Sequence, residues 1–210
     1  MRSQSRLVFA VWATLALAVL ASLLLGRWSA AFIAFVTLGL TLLPLVFEDR
    51  FNIKLPSEFG AAISIFLFAT LFLGEVGDFY NKYWWWDVAL HTGSAIGFGL
   101  LGFIFIFMLF EGNRYAAPPV AIALVSFAFG LSIGSLWEVF EFAMDQIFGL
   151  NMQKSGLIDT MFDLIVDTFG AALGATAGYF YLKRRSFGWL SFLIDRFVQA
   201  NHRLFRKRNR

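Results

Sequence analysis

Long apolar segments without lysine or arginine dominate this chain and limit what it can fold into. Of its 210 residues, 59% are hydrophobic and 15% are charged, whereas soluble domains carry roughly 25% charged residues. Apolar segments of about 18 or more residues are typical of transmembrane helices. The sequence therefore predicts an all-α, polytopic membrane protein. We expect about six transmembrane helices in one bundle over residues 1–186, at residues 7–25, 28–47, 57–74, 88–110, 119–143 and 159–182.

Two of these spans leave room for another interpretation. The third is the weakest, because its apolar core from Phe59 to Gly74 must borrow flanking residues to cross a bilayer. The first could be a signal peptide with Arg2 and Arg6 as its positive region. Its apolar stretch is longer than a usual signal core and no small-residue cleavage site follows cleanly, which favours a membrane helix.

The distribution of lysine and arginine indicates an orientation. If the N-terminus is cytoplasmic, 14 of the 17 basic residues fall on the cytoplasmic side, and Arg27, Lys82 and Lys154 fall outside. Cytoplasmic loops of membrane proteins carry this excess. We therefore predict a multi-pass protein of the cytoplasmic (inner) membrane, with both termini in the cytoplasm.

The C-terminal tail, residues 187–210, is a different kind of element. Apolar residues recur there at helical spacing, and charged or polar residues occupy the other face. This pattern favours an amphipathic helix in the interface, attracted to anionic lipid by its basic end. Membrane lipids are thus the expected partners, and we expect no nucleic acid.

Acidic residues collect at one end of the last three predicted spans. They occur at helical spacing on one face of each span, and with one histidine they form the set Asp87, His91, Glu138, Glu141, Asp145, Asp159, Asp163 and Asp167. Between Arg114 and Lys183 the chain has six carboxylates and one basic residue, Lys154. An ionised aspartate at a helix centre costs about 2.5–3.5 kcal/mol on insertion scales, so a compensating cation, a shared-proton network or a water-filled cavity is expected.

A divalent metal is the compensating cation that the residue types favour. Carboxylates prefer hard ions, and one histidine nitrogen is compatible with first-row metals, so Mg, Mn and Zn are the hypothesised cofactors. A zinc site of three histidines is excluded, because the predicted spans contain one histidine. Structural polar packing between helices, without any ligand, remains the alternative.

Three ordered motifs resemble those of the YjdF-like bacterial inner-membrane proteins. They are Trp86-Asp-Val-Ala-Leu-His91, Trp137-Glu-Val-Phe-Glu141 and Asp159-Thr-Met-Phe-Asp163 with Gly170-Ala171, and together they cover spans four to six. The resemblance implies a metal-ligand set of Asp87, His91, Glu138, Glu141, Asp159 and Asp163. Asp145 and Asp167 lie outside the family's motifs and are additional candidates from the acidic set itself. The last two spans also resemble, more weakly, the VanZ-like proteins. Neither family has a settled biochemical activity.

Three function classes follow. The first is a metal-dependent enzyme acting on a lipid or isoprenoid phosphate at the extracytoplasmic face, with His91 or Glu138 as general base. The second is a proton- or cation-coupled transporter with the acids as a relay. The third is a membrane scaffold whose acids tolerate amide substitution. The apolar inner halves of spans four to six favour a one-sided site over a path through the membrane.

Overall fold

The computed structural model describes residues 5–110, 112–114 and 116–205, and the regular structure in these ranges is helical. The predicted all-α class is confirmed. The helices are α1 Arg6–Leu24, α2 Trp28–Phe51, α3 Ser57–Leu67 continued by a π-helical segment Phe68–Val76, α4 Phe79–Lys82, α5 Trp86–Leu109, α6 Pro119–Phe148, α7 Leu157–Leu182, α8 Gly188–Ala200 and a 3₁₀ turn His202–Phe205.

Five of the described helices are long and apolar enough to cross a membrane. These are α1, α2, the joined segment Ser57–Val76, α5 and α6, and they coincide with the first five predicted spans. The predicted sixth span falls on the 26-residue helix α7, which is not among these five, so its crossing of the membrane stays a prediction. Its aspartates and small residues make it less apolar than the other five.

The chain divides into two compact units, one ending at Trp86 and the other beginning at Asp87. In the first unit, Val11 and Leu15 of α1 pack against Ala34 of α2. The carboxylate of Glu48, near the end of α2, accepts a hydrogen bond of 2.6 Å from the backbone N–H of Leu55 and so fixes the turn into α3. The prediction of a single bundle over residues 1–186 stays a prediction.

In the second unit, α5 and α7 run parallel and α6 runs antiparallel to both, with the three backbones in close approach. A Cβ added at Gly99 would lie 2.6 Å from the carbonyl oxygen of Ala171, and one added at Gly130 would lie 2.9 Å from the backbone N of Gly99. Small residues permit such close packing of membrane helices. Because α5 and α7 are parallel, their N-terminal ends lie together, beside the C-terminal end of α6.

Aromatic residues close the other end of the second unit. The ring of Phe107 is 5.8 Å from that of Tyr181 and 5.4 Å from that of Phe205. Helix α8 contributes Ile194 and Phe197, which are fully buried. The tail helix therefore turns part of its apolar face toward the protein, whereas Trp189 and Phe192 remain exposed. Its predicted place at the membrane interface stays a prediction.

Candidate metal site

Three helix ends supply the polar residues of the second unit. Asp87 and His91 lie in the first turns of α5, Glu138 lies two thirds of the way along α6, and Asp163 and Asp167 lie in the first half of α7. The parallel and antiparallel arrangement brings these segments to the same end of the unit. His91, Glu138, Asp163 and Asp167 are all buried there, in a chain whose core is otherwise mainly apolar.

The imidazole of His91 lies at the centre of this cluster. Its Nε2 atom is 4.0 Å from Oδ1 of Asp87 and 3.9 Å from Oε1 of Glu138. Its Nδ1 atom is 3.3 Å from Oδ1 and 3.4 Å from Oδ2 of Asp167, the latter in hydrogen-bond geometry. The two ring nitrogens therefore face different carboxylates: Nδ1 faces Asp167 of α7, and Nε2 faces Asp87 of α5 and Glu138 of α6.

The carboxylate of Asp167 packs against α6 at Gly134, where the absence of a side chain makes room for it. A Cβ added at Gly134 would collide with the carboxylate of Asp167. The side chain of Asp167 is 1% exposed, so its orientation toward His91 is fixed by packing. Carboxylates that accept the second N–H of a histidine commonly orient that ring toward a metal. The position of Asp167 fits this supporting role.

Glu138 is the residue whose burial most needs explanation. It is 4% exposed, and neither of its carboxylate oxygens has a hydrogen-bond partner among the described residues. A buried polar group without a partner costs about 1–3 kcal/mol, and more if it is charged. Oδ1 of Asp167 has no hydrogen-bond partner among the described residues either, although it lies 3.3 Å from Nδ1 of His91. Both carboxylates border His91, so the oxygens without hydrogen bonds lie close to this ring.

The geometry suits a cation shared by three side chains. One ligand atom each from Asp87, His91 and Asp163 lie within 4.8 Å of one another. Divalent ions hold nitrogen and oxygen ligands at about 2.0–2.6 Å, so two ligands of one ion lie about 3–5 Å apart. With Nδ1 engaged by Asp167, the nitrogen available to a metal is Nε2. Two carboxylates and one imidazole form a donor set compatible with Mn, Fe or Zn.

Three of the predicted ligands, Glu138, Glu141 and Asp159, lie outside this three-residue group. Nε1 of Trp137 donates a hydrogen bond of 2.9 Å to Oε1 of Glu141, which is partly exposed. Asp159 is in the first turn of α7 and is also partly exposed. An acid in that turn interacts favourably with the positive end of the helix dipole. Their assignment as metal ligands stays a prediction.

Asp145 shapes the loop between α6 and α7. Its Oδ1 accepts from the backbone N–H of Met152 at 2.7 Å, and its Oδ2 accepts from that of Gln153 at 2.9 Å. The side-chain amide of Gln153 in turn donates to the hydroxyl of Thr160 at 2.6 Å. These bonds account for both carboxylate oxygens of Asp145 and tie the loop to the start of α7.

Gly134 is a residue of the site that the sequence pattern does not reveal. It stands between two serines in a helix that contains another glycine, Gly130, and nothing in that spacing separates a packing glycine from one that admits a carboxylate. The resemblance also left Asp167 at the margin of the candidate set, although the structure places it against His91. The signal available in the sequence was the spacing of Asp167, which follows Asp163 by one helical turn and Asp159 by two, on the same face of the helix.

The long apolar helices and the polar cluster at one end of them define the class: an all-α, polytopic integral membrane protein. The chain belongs to the family described as predicted membrane protein (DUF2238), whose sequence profile matches residues 6–184. This is the YjdF-like family, so the resemblance seen in the three motifs is confirmed. The weaker likeness to VanZ-like proteins stays a prediction.

A relative from Thermotoga maritima, described as an uncharacterized protein, is 31% identical over 127 residues. The aligned part covers 60% of this chain and 65% of that protein, somewhat less than two thirds of its length. No solved structure matches the chain. The family is therefore established by comparison and the all-α class by the helices of the structure, whereas the chemistry has to be argued from the site.

Proposed function

We propose that this protein binds a divalent cation through Asp87, His91 and Asp163 and acts as a metal-dependent enzyme on a lipid or isoprenoid phosphate. The observation that carries the proposal is the carboxylate of Glu138, which is 4% exposed, has no hydrogen-bond partner among the described residues and lies 3.9 Å from Nε2 of His91. A structural polar network would satisfy these oxygens with donors. A site that binds a cation and accepts a proton during a reaction would leave these carboxylate oxygens without such donors.

The residues then divide into distinct roles. Asp87, His91 and Asp163 hold the ion, and Asp167 positions the imidazole from the Nδ1 side. The ion supplies charge stabilisation to a phosphoryl oxygen. Glu138 lies outside the three-ligand group, so of the two candidate bases it is the better placed to accept the proton of an attacking water or hydroxyl. His91 as a ligand would not be free for that task.

A lipid phosphate is the substrate class that suits the surroundings of the cluster. The outward faces of α6 and α7 near the site are apolar and exposed, with Trp137, Phe140 and Phe162 between 41% and 61% exposed. Such faces meet acyl or isoprenoid chains in a membrane, while the acidic cluster sits at a helix end, near headgroup depth. Phosphate oxygens are the ligands that a hard divalent ion takes from a substrate.

A proton- or cation-coupled transporter is less well supported. Such a protein needs polar groups that continue from the cluster toward the opposite membrane side. Over the described residues of α5, α6 and α7, the buried polar side chain beyond the cluster is Ser126, and its hydroxyl donates to the carbonyl of Ile122 at 2.7 Å. Close helix packing around Gly99 and Gly130 fills the remaining space.

The setting that we propose is the cytoplasmic membrane of a prokaryote, with both termini inside. The excess of lysine and arginine at one side of the predicted spans supports this orientation. The acidic cluster would then face the extracytoplasmic leaflet, and the reaction would take place there.

The test is an activity assay on the full-length protein reconstituted in liposomes. Phosphatidic acid and a long-chain isoprenyl pyrophosphate are added with Mn²⁺ or Mg²⁺, and substrate loss and phosphate release are followed by mass spectrometry. We expect metal-dependent turnover that Glu138→Gln lowers by about 10²–10⁴-fold, the range of general-base catalysis. Glu75→Gln is the matched control, because it makes the same change at an exposed glutamate outside the cluster. Equal turnover in all three proteins, or none that depends on metal, would contradict the proposal.

A further inference from the structure

A basic recess lies at the end of the second unit that is opposite the acidic cluster. It has an empty volume of about 740 Å³, including the space at its open mouth, and is lined by Arg114, Ala116, Ala117, Pro118, Pro119, Leu182 and Lys183. Its walls come from the connection between α5 and α6 and from the C-terminal end of α7. Arg114 and Lys183 are the charged residues of this lining, and its other residues are apolar.

Arg114 is fixed in place by the end of α7. Its guanidinium lies 4.3 Å from the ring centroid of Tyr181, and Nη1 donates to the backbone carbonyl of Tyr181. A longer bond of 3.5 Å joins Nη1 to the carbonyl of Leu182. Guanidinium has five N–H donors and no acceptor, and both of these bonds are made by Nη1, so the contacts with Tyr181 and Leu182 do not use the Nη2 and Nε donors. A pre-positioned arginine of this kind suits phosphate recognition.

The positive charge continues beyond the recess. Helix α7 ends at Leu182 and is followed at once by Lys183, Arg184 and Arg185, all of them exposed. Exposed ammonium and guanidinium groups beside a fixed arginine attract anions of the surrounding membrane, at about 1 kcal/mol for each basic residue near the surface. Four basic residues, Arg114, Lys183, Arg184 and Arg185, therefore lie in or beside the recess.

The position of the recess along the helices matches a lipid headgroup. Helix α5 has 24 residues, which at 1.5 Å per residue is about 36 Å, and Arg114 follows its end. The hydrocarbon core of a bilayer is about 30 Å thick, so Arg114 and Lys183 lie at headgroup depth when α5 spans it. Trp189 of α8, 60% exposed on the same end of the unit, is the residue type that marks this level.

We propose that this recess binds the phosphate group of an anionic phospholipid, with Arg114 and Lys183 as the contacts. Pro118, Pro119 and Leu182 form the apolar wall along which the glycerol and the first acyl carbons lie. A zwitterionic lipid binds more weakly, because its own cation is repelled by the same residues. This lipid site is separate from the acidic cluster and does not depend on the reaction proposed there.

The test measures lipid binding to the purified full-length protein in a non-ionic detergent by native mass spectrometry. Phosphatidylglycerol, phosphatidylcholine and soluble glycerol 3-phosphate are the probes. Lys183→Gln removes the exposed cation of the recess, and Arg203→Gln, an exposed cation on the same end outside it, is the matched control. Unfolding temperatures in lipid-free detergent establish that both variants are folded.

We expect wild type to bind phosphatidylglycerol more tightly than phosphatidylcholine. Lys183→Gln should lower the phosphatidylglycerol affinity about five-fold, which corresponds to about 1 kcal/mol, and Arg203→Gln should change it less than two-fold. Equal losses in the two variants would assign the effect to diffuse charge and overturn the site. Displacement of phosphatidylglycerol by glycerol 3-phosphate at equal concentration would overturn the lipid as its source, because a free phosphate ester would then be sufficient.

Discussion

Nδ1 of His91 lies 3.3 Å from Oδ1 of Asp167 across the contact between α5 and α7. The pair leaves Nε2 directed toward Asp87 and Glu138, at 4.0 Å and 3.9 Å. A carboxylate behind a histidine is the usual support of a metal-binding imidazole. This relationship determines which atoms of the cluster can hold a cation.

Asp167→Asn should separate the positioning role from plain packing. The amide has nearly the same volume, so the fold is retained, but it cannot hold the imidazole as the carboxylate does. Metal affinity should fall by about 10–100-fold, as for other supporting residues. The unfolding temperature without metal should fall, by about 2–4 °C for each 1 kcal/mol lost, because the buried pair of His91 and Asp167 loses its charged carboxylate. Metal titration and thermal unfolding of the same samples provide both numbers. Unchanged metal affinity would show that Asp167 only fills space.

Gly134→Ala should disturb the site through Asp167 alone. The new methyl group would meet the carboxylate of Asp167, which must turn away from its place beside His91. We expect metal affinity to fall at least as much as in Asp167→Asn. Gly93→Ala is the control, because a Cβ there meets nothing within 4 Å. Equal metal affinities of the two alanine variants would contradict the packing that we describe around Asp167.

Gly99→Ala should destabilise the contact of α5 with α7. Its Cβ would lie 2.6 Å from a backbone carbonyl oxygen, that of Ala171, so the helices must move apart. Overpacking of this kind costs about 1–3 kcal/mol. Gly97→Ala, half a turn away on the same helix with nothing within 4 Å, should have little effect. Thermal or denaturant unfolding in detergent measures the difference, and similar stabilities would show that the backbones are not in close contact.

Asp145→Ala should loosen the α6–α7 loop without changing metal affinity. The substitution removes the acceptors of two backbone N–H groups, those of Met152 and Gln153. Hydrogen–deuterium exchange of these amides should become faster, while metal titration stays within two-fold of wild type. A large loss of metal affinity with slow exchange retained would instead make Asp145 a ligand.

The apolar pattern predicts the helices well but not their ends. Each predicted span has a helix, yet α6 continues to Phe148, five residues past the predicted end at Ala143. Polar residues in its last turns look unlike a span but still form a helix, which ends where Gly149 adopts a φ of +66°. Hydropathy indicates which residues lie in the apolar part of the membrane. The end of the helix depends instead on a residue, here Gly149, that can take the left-handed conformation.

The candidate site is predictable as a cluster and not as a set of roles. Helical spacing and alternation of direction are sufficient to bring α5, α6 and α7 acids to one end. They cannot say that Asp163 and Asp167 meet His91 while Glu141 bonds to Trp137, because side-chain contacts depend on how each helix is rotated against its neighbours. The hydrogen bonds of Asp145 to Met152 and Gln153 depend on the conformation of the loop, which the helical spacing of the acids does not predict.

The most direct test of a shared cation is metal content. Wild type and Asp87→Asn/Asp163→Asn are purified in detergent, equilibrated with Mn²⁺ or Zn²⁺, freed of unbound ions, and measured by elemental analysis against protein concentration. Asp78→Asn, at an exposed aspartate outside the cluster, serves as the matched acidic control. We predict about one divalent ion per chain in wild type and in the control, and none in the double variant. Folded wild-type protein without bound ion, or equal metal content in all three proteins, would contradict the account.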